Sequence, residues 1–490
     1  MVKSPSIQEQ IGDTGPHLPM IVQGGMGVGV SSWQLARAVA SRGQLGVVSG
    51  TAVAVSLARR LQRGDPDGDM RRALAAFPSR EIADRILERY FDASGDTSTF
   101  ASVPLFRLDP PRTLVELTVA AAFTEVWLAK QSHDGLVGIN LLEKIQLPTL
   151  ATLYGALLAD VDWIFMGAGI PARIPAVLDR LARHEPAALP LAVTGADSGS
   201  GHMMHFDPAE VRGIPLETPL RRPPFAAIVS STTLARYLVG VESGAPDAFV
   251  VELPVAGGHN APPRGRGRLS EAGEPVYGPR DRVDLDDIAA LGRPFWVAGG
   301  RADPEGLRDA LDHGAAGVQV GTAFAFCDES GLSPGLRRQA RSAVRDGTAE
   351  VRTDPLASPT GYPFKVVPMA DTTGEETTFA DRPRHCDLGY LREPYARPDG
   401  AVGYRCPAEP VDEWVAKGGS AEDAEGRKCL CNGLVAAIDL GQTRRDGYVE
   451  PPLLTAGDDL VNLARIEGFD RAEGYTAGDV IAHVLGPLGT

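Results

Sequence analysis

The residues best suited to chemistry lie where an apolar run breaks into two glycines and a histidine, Val250-Val251-Glu252-Leu253-Pro254-Val255-Ala256-Gly257-Gly258-His259. A similar break without the histidine follows in Pro294-Phe295-Trp296-Val297-Ala298-Gly299-Gly300, and a third in Gly317-Val318-Gln319-Val320-Gly321-Thr322. Glycine at a strand end lets backbone N–H groups approach a phosphate or a flat ring with no side chain between. Gly299-Gly300 run into Ala302-Asp303-Pro304, a helix start, which adds a second feature that suits a phosphate monoester. An imidazole titrates near neutral pH, so His259 suits proton transfer or the anchoring of an anion. Such turns occur singly in many α/β proteins. The ordered set points to a cofactor pocket.

The elements that must position these residues follow an alternating rhythm. Met20–Gln23 reads as a strand, Gly24-Gly25-Met26-Gly27-Val28-Gly29 as its loop, and Trp33–Arg42 as a helix. Ser31 with Gln34 suggests a capping box for that helix. Gly25 and Gly27 lack a third glycine at position 30, where Val30 stands, so the dinucleotide fingerprint is absent. Further strands are expected at Leu45–Val48, Gly135–Leu141, Trp163–Met166, Leu189–Val193, Phe225–Val229, Ala248–Glu252, Phe295–Ala298 and Gly317–Val320. Helical segments such as Thr149–Leu158, Arg173–Arg183, Thr232–Gly240 and Pro304–His313 separate most of them. This predicts an α/β fold, a (β/α)8 TIM barrel over 18–57 and 113–332. Residues 58–112 read as a helical insertion and 333–490 as a C-terminal extension or lid, ending in a helix near Ala477–Leu485.

Strand ends of a barrel converge on one face, so Gly24, Gly25, Met26, Asn140, Gly258, His259, Gly299, Gly300, Gly321 and Thr322 should share one space. The motifs Ile21-Val22-Gln23-Gly24-Gly25-Met26, Ala256-Gly257-Gly258-His259, Val297-Ala298-Gly299-Gly300-Arg301-Ala302-Asp303 and Val318-Gln319-Val320-Gly321-Thr322 resemble, in order, those of nitronate monooxygenase (2-nitropropane dioxygenase-like) flavoenzymes. That superfamily includes FMN-dependent enoyl reductases of fatty-acid and polyketide synthesis. The resemblance covers roughly 18–330 and implies FMN. Gly299, Gly300, Gly321 and Thr322 would take its phosphate. Gly25, Met26 and Asn140 would approach its ring, Gly24 and Gly258 would also bind the cofactor, and His259 would stand beside the reactive nitrogen. It implies oxidation of a nitronate or nitroalkane with O2. The alternative is NAD(P)H-dependent enoyl reduction of an acyl thioester, free or carrier-bound, favoured by the extra segments.

Other signals are less tied to that site. The loop Arg264-Gly265-Arg266-Gly267-Arg268 is either a solvated segment or a recognition element for an anionic group. Glu143 and Lys144 suggest a surface ion pair, with a Lys144 contact to the cofactor as the other option. His202 and His205 lack a third ligand nearby. Four of five cysteines, Cys386, Cys406, Cys429 and Cys431, fall in the tail. They read as buried thiols or as ligands of zinc or another metal. A non-redox barrel acting on a phosphorylated metabolite would want a lysine or paired carboxylates at strand ends, and these strands offer mainly Glu252.

A net charge of −15 opposes nonspecific nucleic-acid and anionic-membrane binding. The longest apolar segment, Leu147 to Pro171, is broken by Asp160 and Asp162, so no membrane span is expected. Sparse cysteines and a polar start, Met1 to Gln8, point to a reducing cytoplasm. A homo-oligomer is compatible with all of this.

Overall fold

The computed structural model describes residues 18–95, 99–196, 201–265 and 267–486; the N-terminal stretch and Arg266 lie outside the described residues. Eight parallel strands form the sheet: β1 (Ile21–Gln23), β2 (Gly46–Ser49), β3 (Val137–Leu142), β4 (Trp163–Gly167), β5 (Phe225–Val229), β6 (Ala248–Glu252), β7 (Phe295–Ala298) and β8 (Gly317–Val320). Each strand neighbours the next in chain order, and β8 pairs with β1 through Ile21 opposite Val318. The ring closes between β1 and β2, where the Gln23 N–H donates to Leu45 O (2.9 Å) and the Leu45 N–H to Ile21 O (3.1 Å). The result is a (β/α)8 barrel.

The strands are apolar on both faces because helices cover the outside and side chains fill the inside. Val22, Val47, Phe165, Val250 and Trp296 belong to the interior cluster. Within it Trp163 and Trp296 meet edge to face at 5.6 Å, and the Trp296 indole N–H donates to Pro19 O at 2.8 Å. Filling of this kind makes the barrel a packed core, open for ligands only at its strand ends.

Two readings need correction. Leu189–Val193 is no barrel strand: Ala187–Pro190 pairs antiparallel with Met203–Phe206 outside the ring. Its apolar side chains cover the barrel helix Thr149–Leu158, as Tyr154 against Phe206 shows (5.3 Å). An apolar run alone does not tell such a hairpin from a barrel strand. The cap of helix Trp33–Ala40 is Ser32, which accepts from the Leu35 N–H at 3.2 Å. Ser31 serves the first loop instead, donating to Gly24 O (2.8 Å) and accepting from the Met26 N–H (2.8 Å).

Between β2 and β3 lie helices Val53–Gln62, Asp69–Ala76, Arg80–Tyr90 and Arg112–Ala129. The last packs on Thr149–Leu158 and on Val53–Gln62. Beyond residue 333 the chain crosses to the strand-end face, and helix Ala477–Leu485 returns to Trp33–Ala40 and Pro304–Asp312. Among the described residues no helix is long and apolar enough to cross a membrane.

Trp296→Ala removes a fully buried indole from inside the ring and orphans the Pro19 carbonyl. It should lower stability by about 3–5 kcal/mol, read as a fall in the urea midpoint with little change in slope.

Candidate functional site

The strand ends of β1, β3, β4, β6, β7 and β8 open into one cavity of about 1530 Å³, counted to its mouth. All ten residues expected to meet there do so: Gly24, Gly25, Met26, Asn140, Gly258, His259, Gly299, Gly300, Gly321 and Thr322 line it.

Two places show why glycine is needed. A Cβ on Gly25 would stand 2.0 Å from the Asn140 Cβ, so the first loop and β3 touch with no space for a side chain. Gly299 and Gly300 take φ of +99° and +63°, a left-handed pair that L side chains adopt at a cost. Among the described residues no backbone acceptor takes up the N–H groups of Gly299, Gly300 or Gly321. They are left for a ligand. The Asn140 side chain donates to Gly25 O (3.2 Å), while its Oδ1 is buried without a partner, the mark of a missing donor.

The tail supplies what the barrel lacks. The Asn260 N–H donates to Pro363 O and the Lys365 N–H to Gly258 O, both at 2.9 Å, so the strand Phe364–Val366 runs against the His259 loop. Ser358 Oγ stands 2.7 Å from His259 Nε2, and the Phe364 ring packs edge-on to the imidazole at 4.9 Å. Tyr390, Leu391, Leu430, Cys431 and Leu434 complete an apolar wall. Burial, with the Lys144 charge nearby, pushes the His259 pKa down to about 4. His259 is therefore neutral near pH 7. Burial pushes Glu252, on the same cavity, up to about 7.

Some expectations change. The Thr322 hydroxyl is engaged by the tail: it accepts the Gly457 N–H (2.9 Å) and hydrogen-bonds the Asp459 carboxyl, which burial raises. Its side chain is thus spoken for. Lys144 lies over the Tyr362 ring at 4.4 Å and does not line the cavity. Arg264 turns back on its own loop, donating to the carbonyls of Arg280 (2.8 Å) and Ser230 (3.0 Å), so it is no free anion receptor. Cys386, Cys406, Cys429 and Cys431 do not form the expected metal set. Among the described residues no three His, Cys, Asp or Glu side chains converge to hold an ion. Burial raises all four thiols, and Cys431 is part of the cavity wall. Sequence reading missed Ser358, Phe364, Tyr390, Thr455 and Asp459. Only the change of composition after residue 333 hinted that the tail mattered.

Fold and site define a (β/α)8 barrel with a glycine-lined cavity at its strand ends. Residues 217–354 match the family described as nitronate monooxygenase. Nitronate monooxygenase of Pseudomonas aeruginosa is 37% identical over 128 residues, 26% of this chain and 34% of that protein. The (3aS,4S,5R,7aS)-5-hydroxy-7a-methyl-1-oxo-octahydro-1H-indene-4-carboxyl-CoA dehydrogenase of Mycobacterium tuberculosis is 32% identical over 123 residues, 25% of this chain and 31% of that protein. The chain thus spans about a third of the length of these relatives. The solved structure of FabK from Thermotoga maritima aligns at a TM-score of 0.46 and 16% identity, covering 95% of this chain and 91% of that one.

The neutral His259 has a signature in stability. Its pKa is depressed in the fold from 6.5 to about 4, so the stability it contributes is present above pH 6.5 and lost as pH falls through about 4. Urea midpoints between pH 7 and pH 4 should fall less steeply in His259→Gln than in the native protein.

Proposed function

We propose that this chain is an FMN-dependent oxidoreductase that oxidises a nitronate with O2 to a carbonyl compound and nitrite. The observation that carries the reading is the meeting, in one cavity, of the bare N–H groups at Gly299, Gly300 and Gly321, the unpartnered Asn140 Oδ1 and a neutral His259. These residues fit FMN. The two left-handed glycines suit its phosphate, and Asn140 Oδ1 suits an N–H of its ring where Gly25 and Met26 allow close approach. Bound FMN would supply the electron transfer that no side chain can.

The chain's own part is to bind, orient and exclude water. Ser358 Oγ lies 2.7 Å from His259 Nε2; in the tautomer in which that hydroxyl donates, the imidazole proton is on Nδ1 and can donate to an oxygen of an anionic nitronate. A pKa near 4 makes His259 a poor base toward a neutral nitroalkane, so the preformed nitronate is the better substrate. The apolar wall of the tail keeps water from the reacting face.

A second reading rests on the size of that wall. Phe364, Leu391, Leu430 and Leu434 offer more apolar surface than a small nitronate uses, which favours an acyl thioester reduced at the expense of NAD(P)H. A flavin spectrum that bleaches anaerobically with a nitronate and persists with NADPH supports the first reading. Prompt bleaching by NADPH supports the second, and a protein that takes up no FMN contradicts both.

Gly25→Val should abolish FMN uptake while the circular dichroism stays native, because its side chain would occupy the Asn140 position. His259→Ala should retain the yellow colour and lose about a hundredfold or more in turnover. Undiminished turnover would contradict its role.

A further inference from the structure

β6 ends at Glu252, opposite Ala298 of β7, and the residue lines two spaces. One is the large cavity. The other is a small chamber behind the His259 loop, lined also by Asn260, Arg264, Tyr277 and Asp281. Among the described residues the Glu252 carboxyl meets no hydrogen-bond donor and no cation within 4 Å. Desolvation is the sole cause of its shift. A charged carboxylate left in that position is costly, and a protonated one is not.

The chamber is built for water. Asn260 is 2% exposed; its side-chain N–H donates to Ala256 O at 3.0 Å, and its Oδ1 is buried without a partner. The Tyr277 hydroxyl donates to Ala261 O at 3.1 Å. Arg264 is committed to two backbone carbonyls, and Asp281 accepts from the N–H groups of Arg264 and Gly278, both at 2.7 Å. Pro262 and Arg264, which line the chamber, are exposed, so it reaches solvent there.

We propose that Glu252 is the proton-exchanging group of the cavity, passing protons between a molecule bound over the glycine turns and water in the chamber behind the His259 loop. This rests on the flavin reading given above. In the donating direction the Glu252 O–H bond breaks and its proton joins an anionic atom of the bound molecule, leaving the carboxylate. A hydronium ion of the chamber then returns one proton to the carboxylate and becomes water. No electrons move in either step. His259 does not serve as this acid, since it is neutral and held by Ser358. The environment thus separates the two groups, with the carboxyl raised to about 7 and the imidazole lowered to about 4. Around Glu252 the titratable and charged groups are His259, Arg301, Tyr390, Cys431 and Asp459 on the cavity side. On the chamber side they are Arg264, Tyr277 and Asp281.

The test is a pH-difference infrared titration of the protein, with and without added FMN, compared with Glu252→Gln and Glu252→Asp. A protonated-carboxyl band that titrates near pH 7 and vanishes in Glu252→Gln is expected. That variant should keep its FMN absorbance and lose roughly a hundredfold in turnover, with partial recovery in Glu252→Asp. Absence of a neutral-range band in the native protein, or Glu252→Gln turnover equal to native, overturns the proposal. If Glu252→Gln fails to fold, the native band and its shift in Glu252→Asp decide. FMN uptake without the band overturns the proton carrier and leaves the flavin reading standing. The band in a protein that takes up no FMN does the reverse.

Discussion

The site depends on a short piece of backbone pairing between the tail and the loop after β6. Two hydrogen bonds, Asn260 N–H to Pro363 O and Lys365 N–H to Gly258 O, hold a loop that opens with two glycines. Free, such a loop would lose much conformational entropy on ordering, and His259 would have no fixed direction. Paired, it presents the imidazole between Ser358 and Phe364. The same tail then reaches the turn after β8, where the Gly457 N–H meets Thr322, and the Gly258 N–H, which donates to Thr455 Oγ1 at 3.1 Å. The barrel supplies the glycine turns, and the tail supplies their orientation.

The electrostatics follow from that enclosure. Burial is the largest cause of the shifts at His259, Glu252 and Asp459, and each moves toward its neutral form. Lys144 and Arg264 are turned to an aromatic face and to backbone carbonyls, and Arg301, which follows Gly300 and lines the cavity, is paired with Asp309. An anionic ligand would therefore meet oriented N–H dipoles more than side-chain charge. In a site of low polarity, fixed dipoles stabilise charge without the desolvation cost of a buried cation.

The strand ends were legible in the sequence because β-branched runs closing in glycine recur at barrel spacing; β6 runs over Ala248–Glu252 and β7 over Phe295–Ala298, as read. Leu189–Val193 misled because its composition is that of a buried strand while its partner, Met203–Phe206, lies outside the ring. Ser31 misled because a cap and a loop anchor use the same residue type, and the choice fell one position later. The cysteines misled because spacing cannot separate a ligand from a small apolar filler, which is what Cys431 is in the cavity wall. Ser358 was beyond reach altogether: it lies 99 residues from His259, and nothing local to Ala357-Ser358-Pro359-Thr360 marks it.

What holds the tail in place lies away from the cavity. Arg59, on the helix after β2, donates to Leu440 O at 2.6 Å, and burial lowers its pKa to about 10. Within the tail itself, Arg382 and Glu450 form an ion pair at 2.5 Å with side chains 4% and 1% exposed. Leu108 and Phe106, ahead of helix Arg112–Ala129, bind Tyr404 (2.6 Å) and Arg392 (2.7 Å) of the tail. A buried pair of this kind adds little net stability, but a displaced partner leaves a charge without water. The pair therefore penalises a misfolded tail more than it rewards a correct one, while the Arg59, Tyr404 and Arg392 hydrogen bonds tie the tail to the segment between β2 and β3. The helices between β2 and β3 and the tail beyond residue 333 thus act as one device. The first sets the register of the second, and the second sets the direction of His259.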